Sequence, residues 1–165
     1  MTSLLILSAS NGENLKLAEC FATAGRQQGC QISVIDLTSL QLPLFTPRAQ
    51  AGGNPAGLDE LEQLLRSHSH WVICTPEYNG SIPPVLTSAI AWLSVLSDDF
   101  RALFNGRPVA MATHSGSGGY EVLTALRIQL AHLGAHVVGR QLVSNRAKNA
   151  EESSITAILD ALLKI

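Results

Sequence analysis

The chain has 165 residues, 46% of them apolar, which fits one domain with a real core, since chains near this size bury roughly 70% of their unfolded surface. A formal charge of −2 provides neither the basic stripe of a nucleic-acid binder nor the strong acidic field of a protein that steers its partners. Cys20, Cys30 and Cys74 form no C-x-x-C pair, no basic leader precedes the first apolar run, and that run, Leu4 to Leu7, is far too short to span a bilayer. The expectation is a cytoplasmic protein with reduced thiols that works with neither nucleic acid nor membrane.

The run Leu4-Leu5-Ile6-Leu7 suits a strand buried on both faces. The polar turn Ser8-Ala9-Ser10-Asn11-Gly12 leads into a predicted helix from about Asn14 to Gln28, with Leu17, Ala18, Phe21 and Ala22 on one face and Gly29 to end it. A second strand covers Gln31 to Asp36. The stretch after it, to about Ala56, holds Pro43, Pro47, Gly52, Gly53 and Pro55 and reads as a long loop. The next helix, about Gly57 to His68, carries Leu58, Leu61 and Leu65.

Trp71 to Cys74 is the third strand, followed by the turn-rich Thr75 to Ser81. A helix starting near Pro83 or Pro84 presents Leu86, Ala89, Ile90 and Leu93. The fourth strand is Val109 to Thr113, and the fifth is His136 to Val138. Between them lie a small-residue loop and a helix with Leu123, Leu126, Leu130 and Leu133 in register. The last helix repeats Ile155, Ile158, Leu159, Leu162 and Leu163. Strands and helices therefore alternate along a single α/β domain, residues 1–165: a doubly wound three-layer sandwich with a five-stranded parallel sheet in the order 2-1-3-4-5. In that arrangement a ligand sits outside the carboxyl ends of the strands, beside the switch between strands one and three.

Three loops leave those ends. The first, Ser8 to Asn14, joins a strand to a helix N-terminus, where free N–H groups and the helix dipole suit a phosphate. Ser8, Ser10 and Asn14 offer side-chain donors, although the same residues also make ordinary capped turns. The second, Pro76-Glu77-Tyr78-Asn79-Gly80-Ser81, presents backbone groups and one aromatic face to a planar heterocycle, or is simply an Asn-Gly turn. The third, Ser115-Gly116-Ser117-Gly118-Gly119, lets backbone approach a ligand closely. There is no P-loop, no G-x-G-x-x-G and no hydrolase nucleophile elbow. His114 is the titratable group nearest these loops. The other histidines are scattered without a metal-ligand pattern.

Taken together, the loops resemble the NADPH-dependent FMN reductase family, which includes small quinone, azo-dye and chromate reductases of the flavodoxin-like fold. The strongest likeness runs from Pro76-Glu77-Tyr78-Asn79-Gly80-Ser81-Ile82-Pro83 through Leu86, Ala89, Ile90, Trp92, Leu93 and Ser94, against P-E-Y-N-G-S-x-P-G-x-L-K-N-A-I-D-W-L-S. Pro84, Thr87 and Ala91 depart from it. The glycine loop with Leu126-Arg127 and Leu133-Gly134 is a weaker likeness. The first loop is shorter than the family's G-S-x-R-x-x-S-x-N-x-x-L-A, lacks its arginine, and puts Glu13 where a phosphate is expected.

The resemblance implies FMN held by Ser8, Ser10, Asn11, Gly12, Glu13, Asn14, Pro76, Glu77, Tyr78, Asn79, Gly80, Ser81, His114, Ser115, Gly116, Ser117, Gly118 and Gly119. It implies hydride passing from NADPH or NADH through FMN to a flavin, quinone or similar small-molecule electron acceptor, with no obligatory protein acid or base. It also implies a homodimer or homotetramer pairing through the helix around Ala89, Trp92 and Leu93. The alternatives are an electron-carrying flavodoxin, a binding or regulatory module that has lost FMN, and, more distantly, a hydrolase.

Overall fold

The computed structural model describes residues 2–165. Strand β1 (Ser3–Ser8) lies at the heart of a parallel sheet because its apolar run has no polar face to expose. Leu5 and Leu7 enter one core while Leu4 and Ile6 enter the other. β1 pairs with β2 (Gln31–Asp36) on one side and β3 (His70–Cys74) on the other. β4 (Pro108–His114) follows β3 and β5 (His136–Val137) follows β4, so the order β2-β1-β3-β4-β5 is the expected one.

Helices cover both faces. α1 (Glu13–Gln27) and α6 (Glu152–Leu162) bury Leu17, Phe21, Ile158 and Leu159 over one side. α3 (Leu58–Ser67), α4 (Pro84–Ser94) and α5 (Tyr120–His132) bury Leu61, Leu65, Leu86, Trp92 and Leu126 over the other. No helix among the described residues is long and apolar enough to cross a membrane.

Three features differ from the sequence expectation. First, the long loop after β2 is a structured strap. Asp36 caps a short 3-10 turn at Leu37–Leu40, with its Oδ1 accepting from Thr38 N at 2.9 Å, and Thr46 caps a short helix α2 (Pro47–Ala51). The strap is fastened to α4: the Pro43 carbonyl accepts from Trp92 Nε1 at 2.8 Å and from Ser88 Oγ at 3.1 Å.

Second, the edge of the sheet is a broken strand. β5 (His136–Val137) pairs with Pro108 and Val109, the ladder lapses, and β6 (Leu142–Ser144) resumes against Ala112–His114, so the sheet has six strands. Arg127 satisfies the carbonyls freed by the lapse, its Nη2 donating to Val138 O at 2.8 Å and to Gln141 Oε1 at 3.0 Å. A guanidinium carries enough donors to serve several acceptors at once.

Third, Trp92, which the sequence left open between a subunit contact and the core, is a core residue, as are Ala89 and Leu93 beside it. The Trp92 ring also stands edge-on to Phe45 with centroids 5.1 Å apart. An apolar α4 face that packs against its own sheet and strap is not free for a second copy.

Candidate functional site

The strands end level with one another, so the three loops converge. Ala9 N donates to Cys74 O at 2.9 Å, Thr75 N to Ala112 O at 3.0 Å, and Ser115 N to Ser144 O at 3.0 Å. These bonds carry the ladders one step beyond the strands, at the switch between β1 and β3 where doubly wound sheets place their ligands.

In the first loop, Ser8 is buried and its hydroxyl donates to Ser10 O at 2.6 Å, closing the turn. Asn14 is also buried. Its Nδ2 donates to His114 O at 3.0 Å and its Oδ1 accepts from His114 N at 2.8 Å. The amide therefore pairs with the end of β4 as another strand would, and it joins the first loop to the third. Ser10, Asn11 and Gly12 complete the turn. Gly12 occupies the N-cap position of α1 and no side chain caps it, so the first-turn N–H groups have no side-chain acceptor. Such an end attracts anions.

Glu13 is exposed at that end, bound to Lys16 Nζ at 2.6 Å. The Lys16 hydrogen bond, then its charge, hold the Glu13 carboxyl below its usual range, and His114 and Arg146 add smaller pulls. The repulsive acid of the sequence is thus a solvated, paired acid with cations around it.

The second loop is a tight hairpin. Tyr78 N donates to Ser81 O at 3.1 Å and Ser81 N to Tyr78 O at 3.0 Å. Between them Asn79 and Gly80 have φ of 52° and 70°. Positive φ at both central positions is what Asn-Gly tolerates best. Pro76 is buried behind the turn, while Tyr78 remains 51% exposed, so its ring is accessible.

In the third loop, Gly116, Ser117 and Gly118 face solvent and Ser115 and Gly119 are buried. Gly119 has φ of 75°, and a Cβ there would lie 2.8 Å from Thr113 Cγ2. His114 is half-buried, with Nδ1 3.3 Å from Ser144 Oγ. Glu77 reaches this loop from the second one. Its Oε1 accepts from Ser117 Oγ and, at 3.3 Å, from Ser115 Oγ, and its Oε2 accepts from Val122 N at 3.3 Å. The bond from Ser117 is the main reason its carboxyl lies below the usual range.

Asn145 and Arg146, which carry no sequence motif, also belong here. With Gly116, Ser117 and Ala147 they line an open cavity of about 670 Å³. Asn145 Oδ1 accepts from Ala147 N and Lys148 N, both at 2.9 Å, which fixes the turn carrying Arg146. No group of three or more His, Cys, Asp or Glu among the described residues could hold a metal ion. Cys74 beneath the loops is fully buried, and burial pushes its thiol far above the usual range, so it offers no nucleophile.

Fold and loops together define a doubly wound α/β protein with a candidate ligand site at its topological switch: an uncapped helix start, an exposed aromatic hairpin and a glycine loop. The chain matches the NADPH-dependent FMN reductase family over residues 2–149 and belongs to it. It is 38% identical to a quinone reductase of Escherichia coli K12 over 102 residues, covering 60% of this chain and 53% of that protein. The match thus spans about half the relative's length. It is 28% identical to an NAD(P)H-dependent FMN reductase of Pseudomonas aeruginosa over 125 residues, covering 74% of this chain and 65% of the relative. Among solved structures, an oxidoreductase of Corynebacterium diphtheriae superposes with a TM-score of 0.80 at 20% identity, over 99% of this chain and 96% of that one. The fold is flavodoxin-like, as it is in an archaeal flavodoxin that superposes with a TM-score of 0.66.

Proposed function

We propose that this protein is an NAD(P)H-dependent flavin oxidoreductase that binds FMN across the three loops and passes electrons to a flavin, quinone or similar small acceptor. The observation that carries the reading is the convergence of the Tyr78–Ser81 hairpin, the uncapped start of α1 and the Ser115–Gly119 loop at neighbouring strand ends. These residues fit FMN in kind: helix N–H groups for the phosphate, the Tyr78 ring and hairpin backbone for the flavin ring, and glycines where the ring system must lie against main chain. FMN supplies the redox chemistry when bound, and the protein supplies placement and exclusion of water.

The reading assigns no side chain an obligatory proton-donor role, because hydride transfer to flavin needs none from the protein. Asn14 and Glu77 are occupied with protein partners, and the His114 ring meets Ser144. The protein is further read as cytoplasmic and as a homodimer or homotetramer. Any pairing through α4 then uses its outer edge, near the exposed Thr87 and Val95.

Stopped-flow mixing of the FMN-loaded protein with NADPH and with NADH tests the reading. The flavin absorbance should bleach with at least one donor and return on adding a quinone. The steady-state plots should be parallel, because donor and acceptor would use one flavin face in turn. A flavin that stays oxidised with both donors refutes the enzyme.

Glu13 and the missing arginine of the first loop favour a second reading, a module that has lost FMN. The Glu13–Lys16 pair argues against it, because the acid's charge is already compensated. Glu13→Gln should tighten FMN by no more than about threefold, the scale of one exposed charge at a helix end. Isothermal titration of both proteins measures this, and a weakened variant would mean that Glu13 makes a needed contact.

A further inference from the structure

We infer that Glu77 is a positioning residue of the flavin site: its carboxylate fixes the glycine loop and the start of α5 from a neighbouring loop, and does not touch the flavin. The inference rests on the flavin-binding reading and gives Glu77 a different part in it from that of a direct ligand.

The start of α5 has a deficit that its own sequence cannot meet. Its N-cap residue is Gly119, in the left-handed conformation, with no side chain to accept from the first-turn N–H groups. Helix starts need such acceptors. Glu77, which follows β3, supplies one. Its Oε2 accepts from Val122 N at 3.3 Å, and the nearby Gly119 amide adds a smaller pull that helps to lower its pKa. A negative charge at this end is favourable with respect to the helix dipole as well.

The other carboxylate oxygen holds the loop itself. Ser117 Oγ and Ser115 Oγ both donate to Oε1, and Ser115 Oγ in turn accepts from Ser117 N at 3.1 Å. An ionised carboxylate has about four acceptor sites. Three donors, all from residues 115–122, engage both of its oxygens. The carboxylate is thus turned to the protein, and it has no hydrogen to give a flavin.

Glu77 thereby couples the aromatic hairpin to the glycine loop. Asn14 couples the first loop to the third, so Glu77 completes the tie among all three. If Tyr78 and the glycine loop contact the flavin from their two strand ends, the spacing between them depends on this one side chain.

The test uses the full chain with Glu77→Gln and Glu77→Ala. Glutamine keeps an acceptor for the serines but turns an NH₂ towards the Val122 and Gly119 N–H groups. Three readouts are taken: amide hydrogen exchange of the FMN-free protein, FMN affinity by fluorescence quenching, and single-turnover reduction of flavin at saturating FMN. In both variants, exchange at 115–122 should speed at least tenfold while residues 8–14 stay as in the wild type. FMN should bind about tenfold more weakly. Flavin once bound should be reduced within about twofold of the wild-type rate, because no contact to the ring is lost.

Weakened FMN binding with unchanged exchange at 115–122 would overturn the inference and make Glu77 a direct ligand. Faster exchange with unchanged FMN affinity would also overturn it, leaving a helix cap unconnected to the site. Wild-type protein that binds no FMN overturns the flavin-binding reading instead, and that outcome is read without either variant.

Discussion

Replacing Asn14 by alanine is expected to destabilise the protein by about 2–6 kcal/mol and to separate the first loop from the third. Asn14 is 2% exposed, and its amide meets both the N–H and the carbonyl of His114. Alanine leaves those two backbone groups unpaired in a cavity, and each such loss costs about 1–3 kcal/mol. Asn14→Asp is the sharper variant because it preserves shape. One aspartate oxygen still accepts from His114 N–H, but the other faces the His114 carbonyl, where an anion is repelled and desolvated. The variant's folded pKa should therefore be raised above the unfolded value of about 3.9. The sign of the pH dependence follows. Below the unfolded pKa the acid is neutral, donates to the carbonyl and carries little penalty. As the pH rises from there through the raised folded pKa, the penalty grows, and it is complete above that value. The wild type has no titrating group at this position. Urea unfolding of both proteins at pH 4 and pH 7 reads the difference. A variant as stable as wild type at pH 7 would mean that the Asn14–His114 pairing contributes little.

The order of elements was legible because the central strands β1, β3 and β4 carry short apolar runs and the long helices repeating apolar faces. Leu4–Leu7 and Trp71–Cys74 have no polar alternation, which leaves a sheet covered on both sides as the workable solution. The break in the edge strand was not legible. Leu142 and Val143 are too short an apolar run to mark a strand, and the lapse before them is bridged by Arg127 of the preceding helix α5, which donates to Val138 O and Gly139 O. The strap after β2 read as loop for a similar reason. Its anchor is one carbonyl, Pro43, meeting the indole of Trp92. That bond also explains why Trp92, which looked available to a partner subunit, lies in the core.

At the site, sequence located the loops but not the directions of their side chains. Hydroxyls, amides and acids at a strand end can meet a ligand or brace the loops, and composition does not separate the two uses. Ser8, Asn14 and Glu77 all turn inward to backbone or to one another's loops, so on the proposed flavin-binding reading contact with the ligand falls mainly to backbone, to Tyr78 and to glycine. Arg146 escaped notice because it lies in a short polar run, Asn145 to Asn149, with no period and no motif. Only the fold brings it near the first loop, where its charge adds a small pull on the Glu13 carboxyl.

Gly119→Ala should be the most damaging single methyl group in these loops, and Gly116→Ala among the most benign. Gly119 holds φ at 75°, a left-handed conformation that costs a residue with a Cβ about 1–2 kcal/mol. The added atom would also lie 2.8 Å from Thr113 Cγ2, 3.2 Å from Val143 Cγ1 and 3.3 Å from Ser115 Cβ. Thr113 is fully buried and β-branched, so it cannot turn aside freely, and overpacking of this kind costs a further 1–3 kcal/mol or so. The total expected is about 2–5 kcal/mol. The strain falls on the N-cap of α5, between the two serines and the Val122 N–H that hold Glu77, so the glycine loop should move with it and FMN should bind at least tenfold more weakly. At Gly116 a Cβ meets nothing within 4 Å and φ is not left-handed. Alanine there should leave stability within about 0.5 kcal/mol of wild type, the usual range for surface substitutions. Paired denaturation curves and FMN titrations of the two variants decide the matter: two variants of equal stability would mean that the loop adapts to a side chain at Gly119, and that its glycines are not what shapes the site.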